Sequence, residues 1–134
     1  MCNKAVIDAR TFFKKYFDRF VRISGYSFAD LMPANINNLQ LRNSDYSNKI
    51  KQAEQVIHCV ARAINDCMSE PRKPYRAILT GVYLKKELNW QVRNEIGYSN
   101  TRYYVFKKQA LEEFTERFNY YAVKEGINTL IELS

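Results

Sequence analysis

Apolar positions along the chain recur at spacings of three and four, the period of helices buried on one face, and strand-like alternation is missing. The pattern predicts an all-α fold. A first helix is expected from about Asn3 to Ile23, with Val6, Ala9, Phe13, Tyr16, Phe17, Phe20 and Ile23 as its apolar stripe and Gly25 as its stop. Residues 25–47 lose the period; Pro33, Asn37 and Asn38 mark a loop, pinned by Phe28, Leu31, Ile36, Leu39 and Leu41 and long enough to hold a short helical turn. A second long helix should begin after Ser47, a good N-cap, and bury Ile50, Ala53, Ile57, Val60, Ala61, Ile64, Cys67 and Met68. Pro71 and Pro74 break the chain, and Pro74 suits the first turn of a third helix that buries Tyr75, Ile78, Leu79, Val82 and Tyr83. Gly81 inside that helix costs about 1 kcal/mol against alanine unless a neighbour packs on it. A short fourth helix (Asn89 to Ile96) and a long fifth (from Ser99 towards Lys124) complete the set, and the apolar tail Ile127 to Ser134 is too short to assign. The organisation expected is an N-terminal helical region over 1–70, packed on or linked to a C-terminal unit over 71–134.

Charge changes the picture because of where it lies. The net formal charge is +7, and residues 72–108 carry nine basic and only two acidic side chains. A local surplus of this kind is the electrostatic footprint of a polyanion-binding surface. Cys2, Cys59 and Cys67 have no metal-ligand spacing and read as free thiols, buried in a reducing, cytoplasmic setting. No apolar run approaches the length that spans a bilayer, so no membrane partner is expected. The sole histidine, His58, has no neighbouring ligand cluster and reads as a surface or half-buried structural residue. Paired carboxylates, an oriented histidine and a Gly-rich phosphate loop are all missing from the pattern, so neither an enzyme nor a bound cofactor is expected.

The stretch from Trp90 to Leu111 is the informative one. A helix-turn-helix needs an apolar residue on its first helix, another before the turn and a glycine to swing the backbone. It then needs an apolar turn residue, a cap, and an apolar residue one turn into the second helix. Val92, Ile96, Gly97, Tyr98, Ser99 and Tyr103 supply these in order, with Phe106 following Tyr103 on the inner face. Arg93 departs from the pattern, standing where a small residue is usual; its stem would snorkel outward to a phosphate. Trp90 reads as a packing anchor, Tyr103 as core and Tyr104 as surface. With Tyr103 and Phe106 turned inward, Asn100, Thr101, Tyr104, Val105 and Lys108 face out as candidates for base contact in a major groove. Arg102, Lys107, Arg93, Lys85, Lys86 and Arg76 are the candidates for phosphate contact.

These residues also carry a resemblance. Trp90-Gln91-Val92, Glu95 to Ser99, Tyr103-Tyr104, Lys107-Lys108, Ala110-Leu111 and Phe114 resemble the C-terminal signature of the ArpU family. Upstream, the basic first helix, Asp45 to Asn48, and Tyr75 to Leu79 follow the same family's pattern, most specifically over about 75–114. ArpU-type proteins are phage and prophage transcriptional regulators of Gram-positive bacteria, and their C-terminal unit is similar to that of sigma factors. The resemblance implies a double-stranded DNA-binding regulator of late phage genes. Two other readings stay open. One is a sigma-like adaptor that docks on RNA polymerase; the other is a small terminase-type packaging protein, disfavoured because the motif here is C-terminal. The aromatic stripe of the first helix also leaves a homodimer open.

Overall fold

The computed structural model describes residues 5–39 and 48–134. The chain is mostly helical, as expected, with one two-stranded ribbon. In chain order the elements are β1 (Ala5–Ile7), a helix α1 over 9–24, two short 3-10 turns (Ala29–Leu31 and Pro33–Asn38), α2 (Asn48–Asp66), α3 over 75–84, α4 (Asn89–Ile96), α5 (Asn100–Glu125) and β2 (Ile131–Leu133). Ser47, Leu41 and Cys2, named above for a cap, a pin and a thiol, lie outside the described residues.

The first helix differs from expectation at its start and in its register. Residues 5–7 are not helical; they pair in parallel with β2, Ala5 with Ile131, Val6 with Glu132 and Ile7 with Leu133. Asp8 ends the strand and caps the helix: its Oδ2 accepts from the Thr11 backbone N–H at 3.1 Å and its Oδ1 from the Thr11 hydroxyl at 2.6 Å. Those bonds hold the Asp8 carboxyl below its usual range. Within α1, residues Phe12–Tyr16 form a π-helical turn. A π turn takes more residues per revolution than an α turn, so it rotates everything before it relative to a 3.6 period. Phe12 therefore enters the core at 0% exposure, while Tyr16, expected in the stripe, stands 40% exposed; Val6, also expected there, lies in β1 and is 59% exposed. Gly25 stops the helix with φ +79°, as its sequence position predicts.

One buried cluster runs from Ala9 to Leu133 and draws on every helix. Phe12 and Phe13 from α1 meet Phe118 and Phe114 from α5, and Val56, Ile57 and Ile64 of α2 and Ile78 and Leu79 of α3 belong to the same buried cluster. Each such side chain stabilises the fold by about 1.5–3 kcal/mol relative to exposure. The loop after α1 is anchored by Leu31 and Leu39, both buried. Cys59 and Cys67 are buried free thiols; burial pushes Cys59 up to about 12 and raises Cys67 likewise. His58 is buried rather than at the surface. Its Nε2 is secluded with no hydrogen-bond partner among the described residues, and burial, then the Arg62 charge, lowers its pKa.

The tail is held at both edges of β2. Asn119 of α5 donates from Nδ2 to the Leu133 carbonyl at 2.7 Å and accepts from the Leu133 N–H at 2.9 Å. Ser134 N–H donates to the Ile7 carbonyl at 3.0 Å.

A second π turn, Thr80–Leu84, ends α3, and the two π turns pack on each other: Phe13 stacks on Tyr83 at 3.9 Å, 8° from parallel. Gly81 sits in this turn, facing α4. A Cβ there would come within 2.7 Å of Val92 Cγ2, and Val92 is buried with little room to turn. The neighbour that justifies this glycine is thus α4 itself. Gly81→Ala should destabilise the protein by about 1–3 kcal/mol through overpacking, against the sign of helix propensity. Thermal unfolding checks this, and a rise in Tm would mean that α4 can back away freely.

Candidate nucleic-acid interface

The backbone reverses between α4 and α5 at Gly97, whose φ of +76° is left-handed. An L side chain rarely adopts that conformation, which is why glycine stands here. Gly97 N–H donates to the Arg93 carbonyl at 3.0 Å and so closes α4. Ser99 opens α5: its hydroxyl accepts from the Arg102 N–H at 3.3 Å. At the other end of α4, Gln91 reaches back and accepts from the Leu88 N–H at 2.8 Å.

Aromatic side chains lock the two helices together. Tyr103 is fully buried and donates its hydroxyl to Asn89 Oδ1 at 2.7 Å, and burial raises its pKa. Tyr98 lies edge-on to Phe106, 4.8 Å between centroids, and donates its hydroxyl to the Pro71 carbonyl. The Arg102 guanidinium sits 5.6 Å from the Phe106 ring centre, which fixes its stem while its head stays exposed. Val92, Tyr103 and Phe106 are buried, and Ile96 and Tyr98 are half-buried around the exposed turn at Gly97 and Ser99.

On the outer face, Asn100, Thr101, Tyr104, Val105 and Lys108 are all exposed, so the structure brings the five base-contact candidates onto one open surface. Tyr104 and Val105 stand 45% and 46% exposed there. Arg102 and Lys85 are exposed beside them in sequence or on α3, and Arg76 is half-buried.

Four residues are placed otherwise than the sequence suggested. Lys107 is not on an open flank. It is only 9% exposed, donates to Asn89 Oδ1 at 3.0 Å and lies 5.9 Å from the Tyr83 ring centre. Four residues separate Lys107 from Tyr103, so both face inward; that spacing was the available signal. Lys86 is committed to the N-terminal region. Its Nζ pairs with Asp18 at 2.7 Å and sits 4.5 Å from the Phe28 ring centre, with its backbone at φ +59°. Arg93 is half-buried, and its Nε is secluded with no hydrogen-bond partner among the described residues, so its stem does not snorkel freely outward. Trp90 is 56% exposed and is not a packing anchor; Val92, two positions on, takes the inward site against Gly81.

Asn89 was not foreseen. As the first residue of α4 it accepts from both Tyr103 and Lys107 and so sets the distance between the two helices. Glu87 and Glu95 are the two acidic residues of the basic segment, and Glu95 holds the Glu87 carboxyl above the usual carboxylate range while Lys85 acts in the opposite sense. Among the described residues, no cluster of His, Cys, Asp and Glu could hold a metal ion, and no helix is long and apolar enough to cross a membrane.

Neither a curated protein nor a solved structure matches the chain. One family description, "Protein of unknown function (DUF1492)", matches residues 43–115, more than half of the sequence and all of the α4–turn–α5 unit up to Thr115. By that match, the chain belongs to the DUF1492 family.

Proposed function

We propose that this protein is a cytoplasmic, sequence-specific, double-stranded DNA-binding regulator of transcription. The observation that carries the reading is the reversal at Gly97. It leaves the leading side chains of α5 unpacked on the surface of the most basic part of the chain. In this reading Asn100 pairs with an adenine edge, and Thr101 and Val105 touch thymine methyls. Tyr104 and Lys108 extend the contact along the groove, and Arg102, Lys85 and Arg76 meet phosphates. The ArpU resemblance extends the proposal to late genes of a phage or prophage.

Duplex binding should weaken as salt rises, with log affinity falling by about 0.9 per log unit of salt for each phosphate contacted. Fluorescence anisotropy with promoter-containing duplexes from 50 to 200 mM salt measures the slope (the range over which such loss is steep). Absence of binding at the lowest salt would sink the proposal.

One observation favours a second reading, docking on RNA polymerase. Leu88 and Trp90 stand 60% and 56% exposed at the start of α4, and exposed tryptophan is the residue type most enriched at interface hot spots. Capture of purified polymerase without DNA, lost on Trp90→Ala, separates that reading from direct DNA recognition.

A further inference from the structure

A cavity of about 670 Å³ lies between the beginning of α1 and the middle of α5. One end is lined by Arg10, Tyr104, Lys107 and Lys108. Glu112 and Glu116 line the other, with Ala9 and Leu111 as apolar wall between them. Its volume falls in the range of sites that enclose a small organic ligand.

The cationic end holds a buried ammonium that makes no ion pair among the described residues. Lys107 is about nine-tenths buried, and among the described residues it donates to a neutral amide, Asn89 Oδ1. The charge acting on it is a second cation, Arg10, and both that charge and burial lower its pKa. Asp8, also at the wall, accepts from Thr11 with both carboxylate oxygens and keeps its negative charge, which the Arg10 charge helps to hold; Lys107 lies deeper, at Asn89. A buried ammonium beside a guanidinium is costly unless an anion completes the group. Phe13, stacked on Tyr83, also lies against Phe114, and Phe12 against Phe118, which holds α1 close to α5.

We propose that this cavity is a phosphate-binding site, in which Arg10 and Lys107 grip one phosphate group and Tyr104 and Lys108 form its rim. The rim residues also belong to the outer face of α5, so the phosphate can come from a duplex backbone passing that face or from a free mononucleotide. The duplex source rests on the DNA-binding reading above; the mononucleotide source does not.

The test uses the full chain, Arg10→Gln, Lys107→Met, and Lys15→Gln as a control that removes one exposed charge outside the cavity. Each protein is titrated with a mixed-sequence duplex by anisotropy and with AMP by heteronuclear NMR. For the duplex source, Arg10→Gln and Lys107→Met each weaken binding about tenfold and flatten the salt slope by about one, while Lys15→Gln does much less. For the mononucleotide source, AMP shifts signals of Ala9, Tyr104 and Leu111 in the unaltered protein and in Lys15→Gln, but not in Arg10→Gln. Arg10 is exposed, so its substitution should leave folding intact even if Lys107→Met does not. Duplex binding that Arg10→Gln reduces no more than Lys15→Gln, with no AMP response, overturns this site and leaves the regulator reading standing. AMP binding that needs Arg10, with no duplex binding by any protein, does the reverse.

Discussion

Replacing Phe114 by alanine is expected to cost about 3–5 kcal/mol, a large share of the roughly 5–15 kcal/mol that holds a domain together. Phe114 has no exposed surface, and its ring lies 4.8 Å from Phe13 and 5.9 Å from Phe118. Truncation removes the transfer energy of the ring and leaves a hole among rigid neighbours. Phe13 is stacked against Tyr83 and cannot easily collapse into that space. Thermal unfolding should move down by roughly 10–20 °C. Tyr104→Ala on the same helix should leave Tm within a degree or two, because Tyr104 is 45% exposed. Equal shifts for the two variants would mean that α5 is not buried along the face described.

Lys108→Glu is expected to lower duplex affinity a hundredfold or more at low salt without changing the melting temperature appreciably. Lys108 is exposed on the outward face of α5, so the substitution disturbs no packing. If that face meets DNA as proposed, the change removes a charge-assisted contact of about 1.5–3 kcal/mol and adds repulsion from the nearest phosphates. Each 1.4 kcal/mol is a factor of ten. The measurement is a competition titration with a duplex, paired with circular dichroism to confirm the fold. Retained affinity in a folded Lys108→Glu protein would remove α5 from the interface and shift attention to Leu88 and Trp90.

How far the sequence could be read depended on whether a feature was local. Gly25 and Gly97 punctuate helices by their own backbone freedom, and Ser99 caps by its own hydroxyl, so all three stand where the pattern put them. The long helices α2 and α5 follow from unbroken spacing of apolar residues. The π turn at Phe12–Tyr16 has no comparable signature. It changes which residues are buried without changing which are apolar, and so Phe12 and Tyr16 exchange places. The pairing of β1 with β2 joins segments more than a hundred positions apart, only three residues each, which no window along the chain can detect. In the candidate site, the open face from Asn100 to Lys108 was legible from Tyr103 and Phe106 alone. The inward turn of Lys107 was available from the same geometry, but its positive charge suggested surface. Asn89 could not be found by spacing, because its partners Tyr103 and Lys107 lie on another helix.

The 26 residues of α5 contain neither glycine nor proline, and at about 1.5 Å per residue they form a rod close to 40 Å long. Asn100 stands at one tip, and Asn119, clasping the tail strand, lies near the other. With no internal hinge, the rod can only tilt or slide as a whole. Spin labels at the two tips should therefore keep a fixed separation through any rearrangement, and a pull on the tail would be transmitted as a lever to the groove-facing tip.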